Sequence, residues 1–129
     1  MQAMSLKLKL MSEPLSVCRL DTNSELPVWA LKDPFFSITK TADELSVVCS
    51  QSSVPEGILC ETDWCSLKVM GPLDFSLIGI LSKISDVLAK ASISIFAVST
   101  YDTDYIMLKA TNLEAAVAAL SHDGILVEV

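Results

Sequence analysis

Arginine is almost missing from this chain: Arg19 stands alone among nine basic residues, set against sixteen acidic ones for a net charge of −7. A protein that held phosphates by Coulomb attraction would need clustered Lys and Arg, so neither nucleic acid nor an anionic membrane is an expected partner. Histidine is equally scarce. The single His122 sits at an expected helix end without a nearby Ser or Cys nucleophile pattern, so a C-terminal cap explains it better than catalysis. Long apolar runs are lacking too. No segment reaches the roughly 18 uninterrupted apolar residues of a spanning helix, and Ser82, Lys83, Ser85 and Asp86 interrupt the longest periodic one. Met1 to Met11 carries no secretory pattern, which together with the missing span predicts a cytoplasmic protein. The four cysteines show no dense spacing: Cys18 and Cys49 read as small core residues, and the interval from Cys60 to Cys65 is unlike a zinc knuckle or a redox pair. No metal and no cofactor are expected.

Apolar material is plentiful: 51% of the 129 residues are hydrophobic, enough for one ordinary domain or two very small modules sharing a core. Leu6 to Met11 and Leu15 to Leu20 alternate apolar with polar across the turn signal Ser12-Glu13-Pro14, which predicts two short strands. Thr22-Asn23-Ser24-Glu25 offers caps to a helix of at most two turns, with Pro27 in its first turn and Asp33-Pro34 as its stop. Phe35 to Lys40 and Leu45 to Ser50 read as a hairpin, and Ile58 to Cys60 as a short strand. Glu61 to Asp63 is the expected boundary between an N-terminal module, 1–62, and a C-terminal one, 63–129.

Trp64 to Met70 predicts a strand ended by Gly71-Pro72. From Leu77 to Lys90 the residues Leu77, Ile78, Leu81, Ile84, Val87 and Leu88 recur at helical spacing. Ser92 to Ser99 and Tyr105 to Lys109 follow as paired strands. Thr111-Asn112 caps a second helix that His122-Asp123-Gly124 closes, and Ile125 to Val129 is a last strand. This β-α-β-β-α-β order is the ferredoxin-like arrangement, an antiparallel sheet with helices on one face. The expected fold class is α+β: two tandem modules of this kind, the N-terminal one reduced. A repeat supports the pairing, because Lys40 to Val48 lies over Ser99 to Met107 without gaps at an offset of 59 residues. It fails at one place, where the first copy has Leu45 and the second Asp104.

A carboxylate at that strand start is costly to desolvate unless a cation or several donors pair with it, and a ligand ammonium would serve. The plainer explanation is a turn aspartate capping its own hairpin. Asp102 and Asp104 leave on one face if strand geometry already holds there, yet no third group completes a metal set or an acid–base pair. The stretch Gly71 to Ile78 precedes a helix start, where free N–H groups and the helix dipole favour an anion by roughly 0.3–1 kcal/mol. Alternatively Asp74 or Ser76 caps that helix, and Gly79 makes room for a neighbouring strand.

At these residues the chain resembles the ACT-domain proteins, small regulatory modules that bind amino acids between paired copies. Gly79-Ile80-Leu81 with Ile84, the strand from Ile93 to Ser99 and the element order carry the likeness. More narrowly, Gly71 to Ile80 with Ile95 to Asp104 resembles the ligand-binding half of the cytosolic arginine sensors of the CASTOR type and short bacterial double-ACT proteins. The resemblance implies that Asp104 pairs with a cationic group of an amino-acid ligand. It also implies that Ser99, Thr100, Tyr101 and Asp102 line the pocket, and that Asp74, Phe75, Ser76, Leu77, Ile78, Gly79 and Ile80 form the opposite wall. The arginine sensors carry an acidic residue where this chain has Leu77, which leaves a smaller or neutral amino acid open. The implied protein is a non-enzymatic sensor acting as a homodimer; the other reading is a ligand-free assembly module.

Overall fold

The structure, a computed structural model, describes residues 6–70 and 79–129. The fold is mixed α+β, with strands β1 (Lys7–Leu10), β2 (Leu15–Leu20), β3 (Ser37–Lys40), β4 (Leu45–Ser50) and β5 (Leu59–Val69), helix α1 (Ile80–Lys90), strands β6 (Phe96–Ser99) and β7 (Asp104–Lys109), helix α2 (Leu113–His122) and strand β8 (Leu126–Glu128). Two compact units emerge: Met1–Ser12 with Cys65–Val129, and Glu13–Trp64. The chain therefore does not divide once near residue 62. Its first strand belongs with the C-terminal unit.

In that unit β1 lies between β5 and β8, antiparallel to the one (Leu8 opposite Val69) and parallel to the other (Leu8 opposite Val127). The alternation that predicted the strand explains the placement, since Leu6 and Leu8 enter the core while Lys7 and Lys9 stay exposed. Beyond β5 come β7 and then β6. Ile84 and Leu88 of α1, and Ala116 and Leu120 of α2, are buried in one core with Leu8, Leu67, Val69, Ile106 and Leu108. Both helices close in the same way. Ser92 and Gly124 take positive φ (63° and 83°), and the next N–H reaches back to Leu88 and Leu120 respectively, 2.9 Å in each case. Ser92 is thus the stop of α1, which is why the expected strand from Ser92 begins only at Phe96.

The N-terminal unit orders its strands β3-β4-β2-β5 over a small core of Cys18, Ala30, Val47 and Cys49. Its expected helix is absent. Residues 27–33 form successive turns, with the N–H groups of Ala30, Leu31 and Asp33 donating to Pro27, Val28 and Ala30 at 2.9–3.2 Å. The six residues between Pro27 and Pro34 are too few to repay helix nucleation, and the residue before a proline disfavours helical backbone. The Asp33 carboxylate instead accepts from the Ser50 N–H (3.0 Å) and the Ser53 hydroxyl (2.6 Å).

The two strands expected on either side of residues 61–63 are one strand. A bulge there moves the β2–β5 register between Val17 opposite Glu61 and Leu15 opposite Trp64. Asp63 takes φ 65°, and its N–H donates to the Gln51 amide oxygen at 2.6 Å.

The repeat is visible in the backbone. β3 and β6, β4 and β7, and the 3-10 turns at Gln51–Ser53 and Ala110–Asn112 all match at the 59-residue offset. Strand pairing repeats as well: Lys40 faces Leu45 as Ser99 faces Asp104.

Candidate functional site

A threonine closes each copy of the hairpin. The Thr100 N–H donates to the Thr103 carbonyl (2.8 Å) and the Thr103 N–H to the Thr100 hydroxyl (3.2 Å); Thr41 and Glu44 do the same at 2.9 and 3.2 Å. Local capping is therefore the work of threonine and does not explain the aspartates. Among the described residues, neither Asp102 nor Asp104 has a side-chain hydrogen bond or ion pair. Asp102 lies in the bend and β7 starts at Asp104, so the strand geometry that would put both carboxylates on one face is not present. Asp104 shares a strand face with Ile106 and Leu108, which pack under the helices. It is half-buried there. Its counterpart Leu45 is 2% exposed. Ser99 is the exposed cross-strand partner of Asp104.

At the helix start the cap is Gly79, with φ 92° and no side-chain cap among the described residues, and its carbonyl accepts from the Lys83 N–H at 2.9 Å. Among the described residues a Cβ at Gly79 would meet nothing within 4 Å, so the glycine does not serve to admit one of the described strands. Its positive φ is the reason for it. Ile80 opens α1 and packs against the core. Asp74, Phe75, Ser76, Leu77 and Ile78 lie outside the described residues.

Thr100, Tyr101 and Asp102 line a cleft of about 580 Å³, shared with Lys68, Met70 and Tyr105. The Lys68 Nζ stands 6.0 Å from the Tyr105 ring centroid, the range of a cation–π contact. The Thr103 hydroxyl donates to the Val69 carbonyl at 2.7 Å and ties the turn to β5. Neither Ser99, Asp104, Gly79 nor Ile80 lines this cleft, so the expected residues fall into two groups. Lys68 and Tyr105 escaped the sequence reading. Their signal lies in alternation, each sitting beside core residues (Leu67 and Val69, Ile106) and so pointing to the other face of its strand.

No cluster of three or more metal-ligating side chains occurs among the described residues. The four thiols are free. Hydrogen bonding with Cys49, then burial, pushes the Cys18 thiol well above its ordinary pKa, and burial pushes Cys65 up while its thiol donates to the Leu108 carbonyl at 3.4 Å. Such thiols are poor nucleophiles. His122 is exposed at the end of α2, in a surface groove where Lys83 pairs with Asp123 at 3.4 Å.

A family model described as ACT domain matches residues 59–122. A crystal structure of a protein from Agrobacterium tumefaciens is 33% identical, covering 97% of this chain and 93% of its own, with a TM-score of 0.91. The chain belongs to the ACT-domain family. A second model, of an N-terminal domain, matches residues 13–57 of this ACT protein. Two more distant solved structures share the fold. One is a Vibrio cholerae protein of unknown function described as a possible transport protein (18% identity, 93% of this chain, 91% of that one, TM-score 0.74). The other is the ligand-free regulatory subunit of aspartate kinase from Thermus thermophilus (10% identity, 89% and 95%, TM-score 0.64). No curated protein matches the ACT chain.

Proposed function

We propose that this ACT protein is a non-catalytic regulatory module of two ACT-type units, the N-terminal one reduced, that binds a free amino acid. The ligand lies between the helix start before Ile80 and the strand junction 99–104, with its ammonium on Asp104 and its carboxylate toward the free N–H groups of α1. The observation that carries this reading is the broken repeat. Two hairpins agree in bounds, pairing and threonine closure, yet the position filled by buried Leu45 in one holds half-buried Asp104 in the other. A carboxylate without a partner among the described residues fits a site that awaits a cation. The absence of any described residue within 4 Å of a Cβ at Gly79, and the aspartate-kinase regulatory subunit among the solved structures, support the same reading.

The test is a thermal-shift screen against the twenty amino acids at millimolar concentration, on the wild type and on Asp104→Asn. A ligand at 100 times its dissociation constant stabilises by about 2.7 kcal/mol, several degrees in a protein of this size. One or more amino acids are expected to shift the wild type and not the variant. A screen in which no amino acid shifts the wild type leaves the ligand-free assembly module as the better reading.

Assembly has an observation of its own: Leu26, Val28, Leu31 and Phe36 of the N-terminal unit, close together in the chain, are 39–69% exposed. We infer a cytoplasmic homodimer, and sedimentation velocity reads the mass directly.

A further inference from the structure

The cleft beside Tyr101 shares the junction 99–104 with the ligand position just proposed but is not lined by Asp104. Lys68 lies between the core residues Leu67 and Val69, and Tyr105 precedes the core residue Ile106. Both therefore belong to the sheet face opposite the one that carries Asp104.

Among the described residues two charges line this cleft, the ammonium of Lys68 and the carboxylate of Asp102. Among the described residues neither makes an ion pair. Lys68 is half-buried and held toward the Tyr105 ring, so its charge is partly desolvated and kept in place. The threonine hydroxyls are occupied: Thr100 serves the turn and Thr103 the Val69 carbonyl. What remains for a visitor is one cation, one anion, and an apolar rim in which Met70 is 39% exposed and Tyr101 wholly so. A simple anion would satisfy Lys68 and be repelled by Asp102; a simple cation would meet the reverse. A molecule with both charges and an apolar body matches every element, and the cleft volume falls in the range of small-molecule sites.

We propose that this cleft is a second ligand site, taking an α-amino acid with an apolar or aromatic side chain: its carboxylate on Lys68, its ammonium on Asp102, its side chain against Met70 and Tyr101. The site does not depend on Asp104.

The experiment is calorimetric titration of the full chain with phenylalanine and leucine, with their amides, which lack the carboxylate, and with their N-acetyl forms, which lack the ammonium. Wild type, Asp104→Asn and Lys68→Met are compared, with circular dichroism to verify folding. At least one free amino acid should bind both the wild type and Asp104→Asn. Capping either end should weaken binding to the wild type by about tenfold or more, the loss of one charge-assisted contact. In Lys68→Met the free acid and its amide should bind equally weakly. The proposal is overturned if neither amino acid binds the wild type, or if capped and free forms bind it alike. It is also overturned if binding survives Lys68→Met and is lost in Asp104→Asn, an outcome that would leave the first site standing alone.

Discussion

Asp104 is a carboxylate in a place where its own twin is a leucine. The strand face it shares with Ile106 and Leu108 packs under two helices, and Leu45 shows that the hairpin accepts an apolar side chain at this position. Restoring the apolar residue should therefore make the protein more stable and less able to bind. Asp104→Leu is expected to raise the unfolding free energy by about 1 kcal/mol, the usual gain when a functional polar group yields to a packed one. Urea midpoints at constant m-value would measure it; a lowered midpoint would make Asp104 a structural residue and weaken the ligand reading. The anomaly at Asp104 was legible in the sequence because the two copies align without a gap, so one mismatch among matches stands out. Lys68 and Tyr105 were not legible. Their meeting depends on β5 and β7 lying side by side, a register that no local pattern encodes.

Among the elements, the start of α1 shows how one backbone angle replaces a side-chain cap. Gly79 holds φ 92°, and among the described residues a Cβ there would meet nothing, so the backbone is what penalises a substitution. Gly79→Ala should cost about 1–2 kcal/mol of stability, the left-handed penalty for an L-residue. Urea unfolding followed by helical circular dichroism would read it, and an unchanged midpoint would mean that the helix starts elsewhere in solution. The apolar spacing of α1 and α2 was visible in the sequence because burial on one face imposes a 3.6-residue period. Where the chain makes irregular structure from regular-looking residues, the sequence misleads. Asp63, a turn-former, sits inside a continuous strand because a bulge needs one left-handed residue, and the caps before Pro27 lead into turns because Pro34 arrives too soon.

For the molecule as a whole, the placement of β1 governs how it can be divided. Leu6 and Leu8 fill the core of the C-terminal unit, and β1 is the strand between β5 and β8. A fragment of residues 65–129 lacks both the strand and those side chains, so it should remain unfolded by circular dichroism. The same fragment with residues 6–12 attached after Val129 through a flexible linker should recover helical signal. Within the full chain Leu8→Ala should cost about 3 kcal/mol, as for a fully buried leucine. A fragment that folds cooperatively without β1 would contradict the arrangement. The membership of β1 was hidden because the sequence shows only that a segment alternates, never which neighbour it will find across the chain.

Strand β1 leaves the ribosome well before β8, its parallel partner. Between them residues 13–64 are made, and β2, β3 and β4 pair with one another inside that unit. The inserted unit can gain its hairpins early and β1 can pair with β5 next, but β1 meets β8 only after α2 has been made. The core that joins Leu8 to Ile106, Leu120 and Ile125 therefore closes late in synthesis, and a chain cut short before α2 would lack it.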